Sequence, residues 1–196
     1  MFYFTLMQLI HYLGYLVIDD CENPLNQGLA YANFVHIAFQ PLFYLVGLYG
    51  LFRVYKIVTA RQLVSLRYFA YLAAIAGVMS VMRVFPMQYP LKTEGCAFCG
   101  PPCTRTGKQH IAPTVPLRTR PYYVTPGVFF HFLLIFGPPL LYNNVTRGIA
   151  LVTYASAAAP DFLYDVTTAE AAALWCGIAI AQMAATTLIA LYNRGR

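Results

Sequence analysis

The sequence predicts an all-α fold, a polytopic transmembrane bundle of about six spans with a disulfide-stapled loop cap on its outer side. Three observations carry that reading. Of 196 residues, 59% are hydrophobic and only 10% charged, against about 25% charged in an ordinary soluble domain. A soluble chain of this size has too little interior to hide so much apolar surface. Apolar runs approaching or exceeding the roughly 20 residues needed to cross a bilayer recur from one end of the chain to the other. The charges between those runs are sorted by sign.

The first run, FYFTLMQLIHYLGYLVI, starts directly after Met1. It has neither a basic leading stretch nor a small-residue cleavage site, so it is expected to stay in place as span one, about residues 2–18. A polar turn, ENPLNQG, leads to span two at about 29–52. This span carries Asn33, His36 and Gln40 at helical spacings, followed by Pro41. Lipid offers such groups no partners, so this stripe is expected to face other helices or a polar cavity. Span three, about 66–85, is rich in Ala, Val and Met. Residues 87–125 read as a long outer loop. Span four, about 126–143, is broken by Gly137-Pro138-Pro139, where the proline pair should kink or end the helix. Span five, about 147–160, is short and rich in small residues, which suits close helix contact. Span six covers about 169–192. No internal repeat is visible, and residues 1–196 read as one bundle domain.

With six spans, both termini share a side with the connectors at 53–67 and 143–147. That side gathers Arg53, Lys56, Arg61, Arg67, Arg147, Arg194 and Arg196 and no acidic residue. The other side receives Asp19, Asp20, Glu22, Glu94, Asp161, Asp165 and Glu170. Short basic connectors stay in the cytoplasm, so the termini are expected there and the cysteine-rich loop outside, in a bacterial-type inner membrane. The same loop also holds Lys92, Arg105, Lys108, Arg118 and Arg120, but long loops translocate with little regard to charge. The net charge of +6 is therefore explained by topology, and no nucleic-acid motif accompanies it.

Cys21, Cys96, Cys99 and Cys103 all fall on the predicted outer side, while Cys176 lies in span six. Four cysteines on an oxidising face suggest two disulfides, with three pairings open. A bond from Cys21 into the loop would staple it over the bundle. The Cys96-Ala-Phe-Cys99 pair also permits a thiol oxidoreductase, and the four thiols together permit a zinc site.

Inside the spans, Gln8, His11, Asn33, His36, Gln40 and His131 form a candidate polar site. The plain reading is interhelical hydrogen bonding. The sharper one gathers His11, His36, His131 and Asp20 around zinc, as in membrane lipid hydrolases of the alkaline ceramidase kind. His110, in the loop segment KQHIAP, is expected to cover the bundle surface.

Four pieces, LMQLIHY…VIDDCENPLNQ, HIAFQP at 36–41, CxxCxxxCT at 96–104 and KQHIAP, resemble a bacterial family of small polytopic membrane proteins catalogued only as a domain of unknown function. The resemblance implies the fold and topology given above. It also implies an additional upstream helix in family members, a Glu where Gln8 stands, and Trp-Glu where Pro113-Thr114 stand. If those carboxylates move protons in the family, this chain has lost them. The expectation is a non-catalytic membrane protein, either an accessory to other membrane subunits or a binder of a lipid-like ligand, with membrane lipids as partners and no resident cofactor.

Overall fold

The computed structural model describes residues 2–86, 88–92, 94, 96–119, 127–164 and 166–194. Arg120, Asp165 and Arg196, and the side chains of Asp161 and Arg194, which entered the charge reading, lie outside the described residues, as does Pro126 at the start of span four. The chain is mostly helical. Its helices are α1 (Phe2–Leu16), α2 (Pro24–Val54), α3 (Ala60–Val81), α4 (Val128–Leu140), α5 (Asn144–Tyr164) and α6 (Thr168–Arg194). Among the described residues, three segments, Pro24–Val54, Ala60–Val81 and Ala169–Leu188, are long and apolar enough to cross a membrane.

The residues read as a polar turn after span one are largely helical, because α2 starts early. Asn23 caps it by accepting the Leu25 N–H at 2.9 Å, and Pro24 takes the first helical position, where its missing donor costs nothing. Pro41 does not break α2, which runs through it for 31 residues. α3 opens on a capping box in which Thr59 and Gln62 satisfy each other's backbone N–H groups. α4 ends where the proline pair predicts. Pro138 and Pro139 sit in its last turn, and Leu141 N–H closes on the Pro138 carbonyl.

The 87–125 loop departs from the all-α expectation. It contains an antiparallel hairpin of β1 (Cys103–Thr106) and β2 (Ile111–Thr114), in which Cys103 pairs with Thr114 and Thr106 with Ile111. Pro113 is tolerated because its partner Thr104 sends its backbone groups away from β2, toward α2.

All six helices contribute to one apolar core. Its buried members include Phe4 of α1, Tyr44, Leu45, Leu48 and Phe52 of α2, Leu66 and Ala73 of α3, Leu134 to Phe136 of α4, Ile149 of α5, and Trp175 and Ala179 of α6. α2 is the central helix, and its most extensive partner is α3. The two approach closely at Gly77, where a Cβ would sit 2.6 Å from the Phe39 ring.

The bundle has two distinct ends. At one, Asn143 Nδ2 donates to the Ile57 carbonyl at 2.8 Å, tying the α4–α5 turn to the α2–α3 connector. At the other, the hairpin packs against α1, α2 and α6.

Candidate functional site

Two polar constellations lie inside the bundle, and they differ in how completely they are satisfied. The first crosses three helices. His131 Nε2 of α4 meets Gln40 Oε1 of α2 at 3.3 Å, Gln40 Nε2 donates to Cys176 Sγ of α6 at 3.1 Å, and the Cys176 thiol donates to the Ala172 carbonyl at 3.4 Å. Because Gln40 Oε1 only accepts, His131 must carry its proton on Nε2. Every donor then points one way along the chain, and each of these contacts is used. The arrangement joins α4, α2 and α6 in a low-dielectric interior.

The second constellation joins α1 to the hairpin turn. The Tyr15 hydroxyl lies 2.5 Å from His110 Nδ1, and His110 Nε2 lies 3.4 Å from His11 Nδ1. His110 is placed by its backbone: Glu170 Oε1 accepts the Gln109 and His110 N–H groups at 2.7 and 3.1 Å. Glu170 itself is fully buried at the start of α6, where its other oxygen accepts the Thr167 N–H at 2.8 Å and Thr167 returns the bond. A glycine is required at 107, because a Cβ there would lie 2.3 Å from Glu170 Oε1. Burial lowers the His110 pKa from the ordinary histidine value, while the Glu170 carboxylate pulls the other way.

Behind this pair the interior holds unanswered polar atoms. His11, Asn33 and His36 are buried, with 2%, 1% and 4% of their surface exposed. Among the described residues, His11 Nε2, His36 Nε2 and both amide atoms of Asn33 have no hydrogen-bond partner. Tyr3 of α1 stacks on the His36 ring at 3.9 Å and donates its hydroxyl to the His36 carbonyl. Gln8 lies against α6 at Gly177.

The three span histidines do not converge. His11 pairs with His110, His36 with Tyr3 and His131 with Gln40, while Asp20 is exposed and accepts from Asn23 at 3.1 Å. Among the described residues no three His, Cys, Asp or Glu side chains are grouped to hold a metal. The cysteines form two bonds, Cys21–Cys103 and Cys96–Cys99. The first ties the α1–α2 turn to β1. The second closes a tight loop whose Phe98 packs on Phe34 and reaches the cluster of Met7, Ile37 and Cys176.

A third feature lies toward the opposite end. Leu42, Val46 and Tyr49 of α2 and Arg67, Ala70 and Tyr71 of α3 line an apolar groove of about 180 Å³. The Arg67 guanidinium lies 5.3 Å from the Tyr49 ring centroid, within cation–π range. Nothing in the sequence patterning marked this groove, because α2 and α3 are both broadly apolar. His110 and Glu170 were also missed as interior partners. The Thr-x-x-Glu start of α6 was the one signal available for Glu170.

The fold and these features define a disulfide-bonded helical protein with, among the described residues, three helices long and apolar enough to cross a membrane. The chain belongs to a family of unknown function (DUF5765), whose model matches residues 1–194. No curated protein and no solved structure matches it.

Proposed function

We propose that the chain is a six-span integral membrane protein, with the hairpin as an outer cap and both termini cytoplasmic. It holds an anionic, lipid-like ligand in the α2–α3 groove, without catalysis, alone or as an accessory to other membrane subunits. The groove carries this reading. Two tyrosine rings and aliphatic side chains line it, and Arg67 is its one charged residue, which suits an acyl chain below a negatively charged headgroup. Arg67 lies seven residues into α3, about 10 Å from its start, so the cation can snorkel toward the interface. Arg53, Lys56 and Arg61 surround the same connector, and no acidic residue occurs between Glu22 and Glu94. The bond from Asn143 to Ile57 brings the Arg147 turn to that end as well, while Asp19 and Glu170 serve the hairpin end.

Native mass spectrometry of the purified chain, offered phosphatidylglycerol or phosphatidylcholine, tests the proposal. It expects retained phosphatidylglycerol in preference to phosphatidylcholine, and loss of that preference in Arg67→Gln. Equal retention of both lipids, or a preference unchanged in Arg67→Gln, overturns it.

A further inference from the structure

We propose that Cys96 and Cys99 form a thiol–disulfide exchange site, which oxidises a dithiol while the rest of the fold stays in place. The site lies beside the hairpin, apart from the lipid groove, and does not depend on lipid binding.

The two disulfides of the chain are built for different tasks. Cys21–Cys103 closes a separation of 82 residues, and Cys103 is fully buried. Such a bond is hard to reach, and it removes much freedom from the unfolded chain. Cys96–Cys99 closes a separation of 3 residues, so it restrains the unfolded chain far less. Both of its cysteines are partly exposed. Ala97 between them is exposed, with only a methyl group to bar approach. Accessible disulfides are the ones that an incoming thiolate can attack.

The segment does not need the bond to keep its place. Gly100 donates its N–H to the Val115 carbonyl at 3.1 Å, and the Val115 N–H donates to the Phe98 carbonyl at 2.8 Å. The Phe98 ring packs on Phe34 of α2, with ring centroids 6.2 Å apart. The Cys99 N–H reaches the Cys96 carbonyl at 3.4 Å, and the two Cα atoms lie 5.3 Å apart. None of these contacts uses a sulfur atom. An opened pair is therefore held ready to close again.

The pair is oxidised in the structure, so the reaction it offers is oxidation of a dithiol. One thiolate of the dithiol attacks a sulfur of the pair, forms a mixed disulfide and releases the other cysteine as thiolate. The second thiolate attacks the dithiol's own sulfur in that mixed disulfide and displaces the remaining cysteine. The dithiol leaves as a disulfide, and Cys96 and Cys99 are left as thiols. Two electrons and two protons have passed from the dithiol to the pair. The reaction consumes one dithiol per chain.

Graded dithiothreitol, followed by acid quench, alkylation and peptide mapping, tests the site on the full chain in lipid nanodiscs. Cys96 and Cys99 should become alkylated at a concentration roughly ten-fold or more below that needed for Cys21 and Cys103. Opening Cys96–Cys99 alone should lower the melting midpoint much less than opening Cys21–Cys103. Opening of both bonds together, or an equal fall in midpoint, overturns the proposal. Reduced thioredoxin separates the two sources of dithiol. Its oxidation in step with the appearance of free Cys96 and Cys99 assigns a protein dithiol, and opening by dithiothreitol alone assigns a small one. Cys96→Ser with Cys99→Ser should fold and leave thioredoxin reduced. Failure of this variant to fold, or oxidation of thioredoxin by it, overturns the exchange site.

Discussion

Asn26 grips Thr104 by both of its backbone groups. Its Oδ1 accepts the Thr104 N–H at 2.7 Å, and its Nδ2 donates to the Thr104 carbonyl at 3.0 Å. The same Nδ2 donates to the Val17 carbonyl at 2.5 Å, and the residue is fully buried. One amide thus acts as a third strand beside β1 and joins α1, α2 and the hairpin.

Asn26→Leu removes all three bonds while keeping the branching of the side chain. The Thr104 N–H is then buried without a partner, while its carbonyl keeps the Asp19 N–H at 3.1 Å, at a cost of about 1–3 kcal/mol. A thermal melt in detergent should show a clear fall in midpoint. Asn26→Asp keeps the acceptor, but it loses the donor and buries a charge, so it should be no better. A melt unchanged in both variants would contradict this account of the junction.

The Cys21–Cys103 bond closes a separation of 82 residues. Long closures give the larger stabilisation in the chain-entropy view, so Cys21→Ser with Cys103→Ser should destabilise by about 2–4 kcal/mol. The Asn26 and Asp19 contacts remain, so the protein should still fold. Peptide mapping without reductant should recover the Cys21–Cys103 and Cys96–Cys99 pairs. Recovery of a Cys21–Cys96 or Cys21–Cys99 pair would contradict the structure.

Asp19 carries a pH signature. Its Oδ1 accepts the Thr106 N–H at 2.9 Å and its Oδ2 accepts the Thr106 hydroxyl at 2.5 Å. These bonds hold its carboxyl below the ordinary aspartate value of 3.8. Between the two values the folded chain stays ionised while the unfolded chain binds a proton. The contribution is therefore complete above the ordinary value and is lost as pH falls through the lowered one. Melting midpoints of wild type and Asp19→Asn should differ at neutral pH and converge in strong acid. A gap independent of pH would show that Asp19 acts otherwise.

Gly77 sets how closely α2 and α3 approach. A Cβ there would meet the Phe39 ring at 2.6 and 2.8 Å and the Ala38 carbonyl at 3.1 Å. Gly77→Val should cost about 1–3 kcal/mol through overpacking. Because the groove is walled by the same two helices, it should also weaken lipid retention in native mass spectrometry. Stability equal to wild type would mean that the helices are free to separate.

Helices were legible because apolar length and proline placement act locally. The Pro138-Pro139 stop of α4 followed directly from the missing donors. The stripe of Asn33, His36 and Gln40 announced a face that lipid cannot cover, and all three side chains are buried. The early start of α2 was written in Asn23-Pro24 but read as turn, because polar composition outweighed the capping signal. The hairpin was not legible. Its strands are four residues each and include Pro113, and they are held by Asn26 and a disulfide rather than by alternating hydrophobicity. His11 and His110 lie 99 positions apart, and no local pattern reports such a contact.

The proposed topology sets the basic connector and the hairpin on opposite sides of a membrane. Cys21, Cys96, Cys99 and Cys103 are paired and Cys176 is buried, so the native chain offers a quiet background for thiol labelling. Lys56→Cys and Arg105→Cys each place one thiol at an exposed position, at opposite ends of the bundle. In intact cells, a membrane-impermeant maleimide should label the Arg105→Cys variant and spare the Lys56→Cys variant until the membrane is opened. Labelling of both before lysis, or of Lys56→Cys alone, would contradict the account.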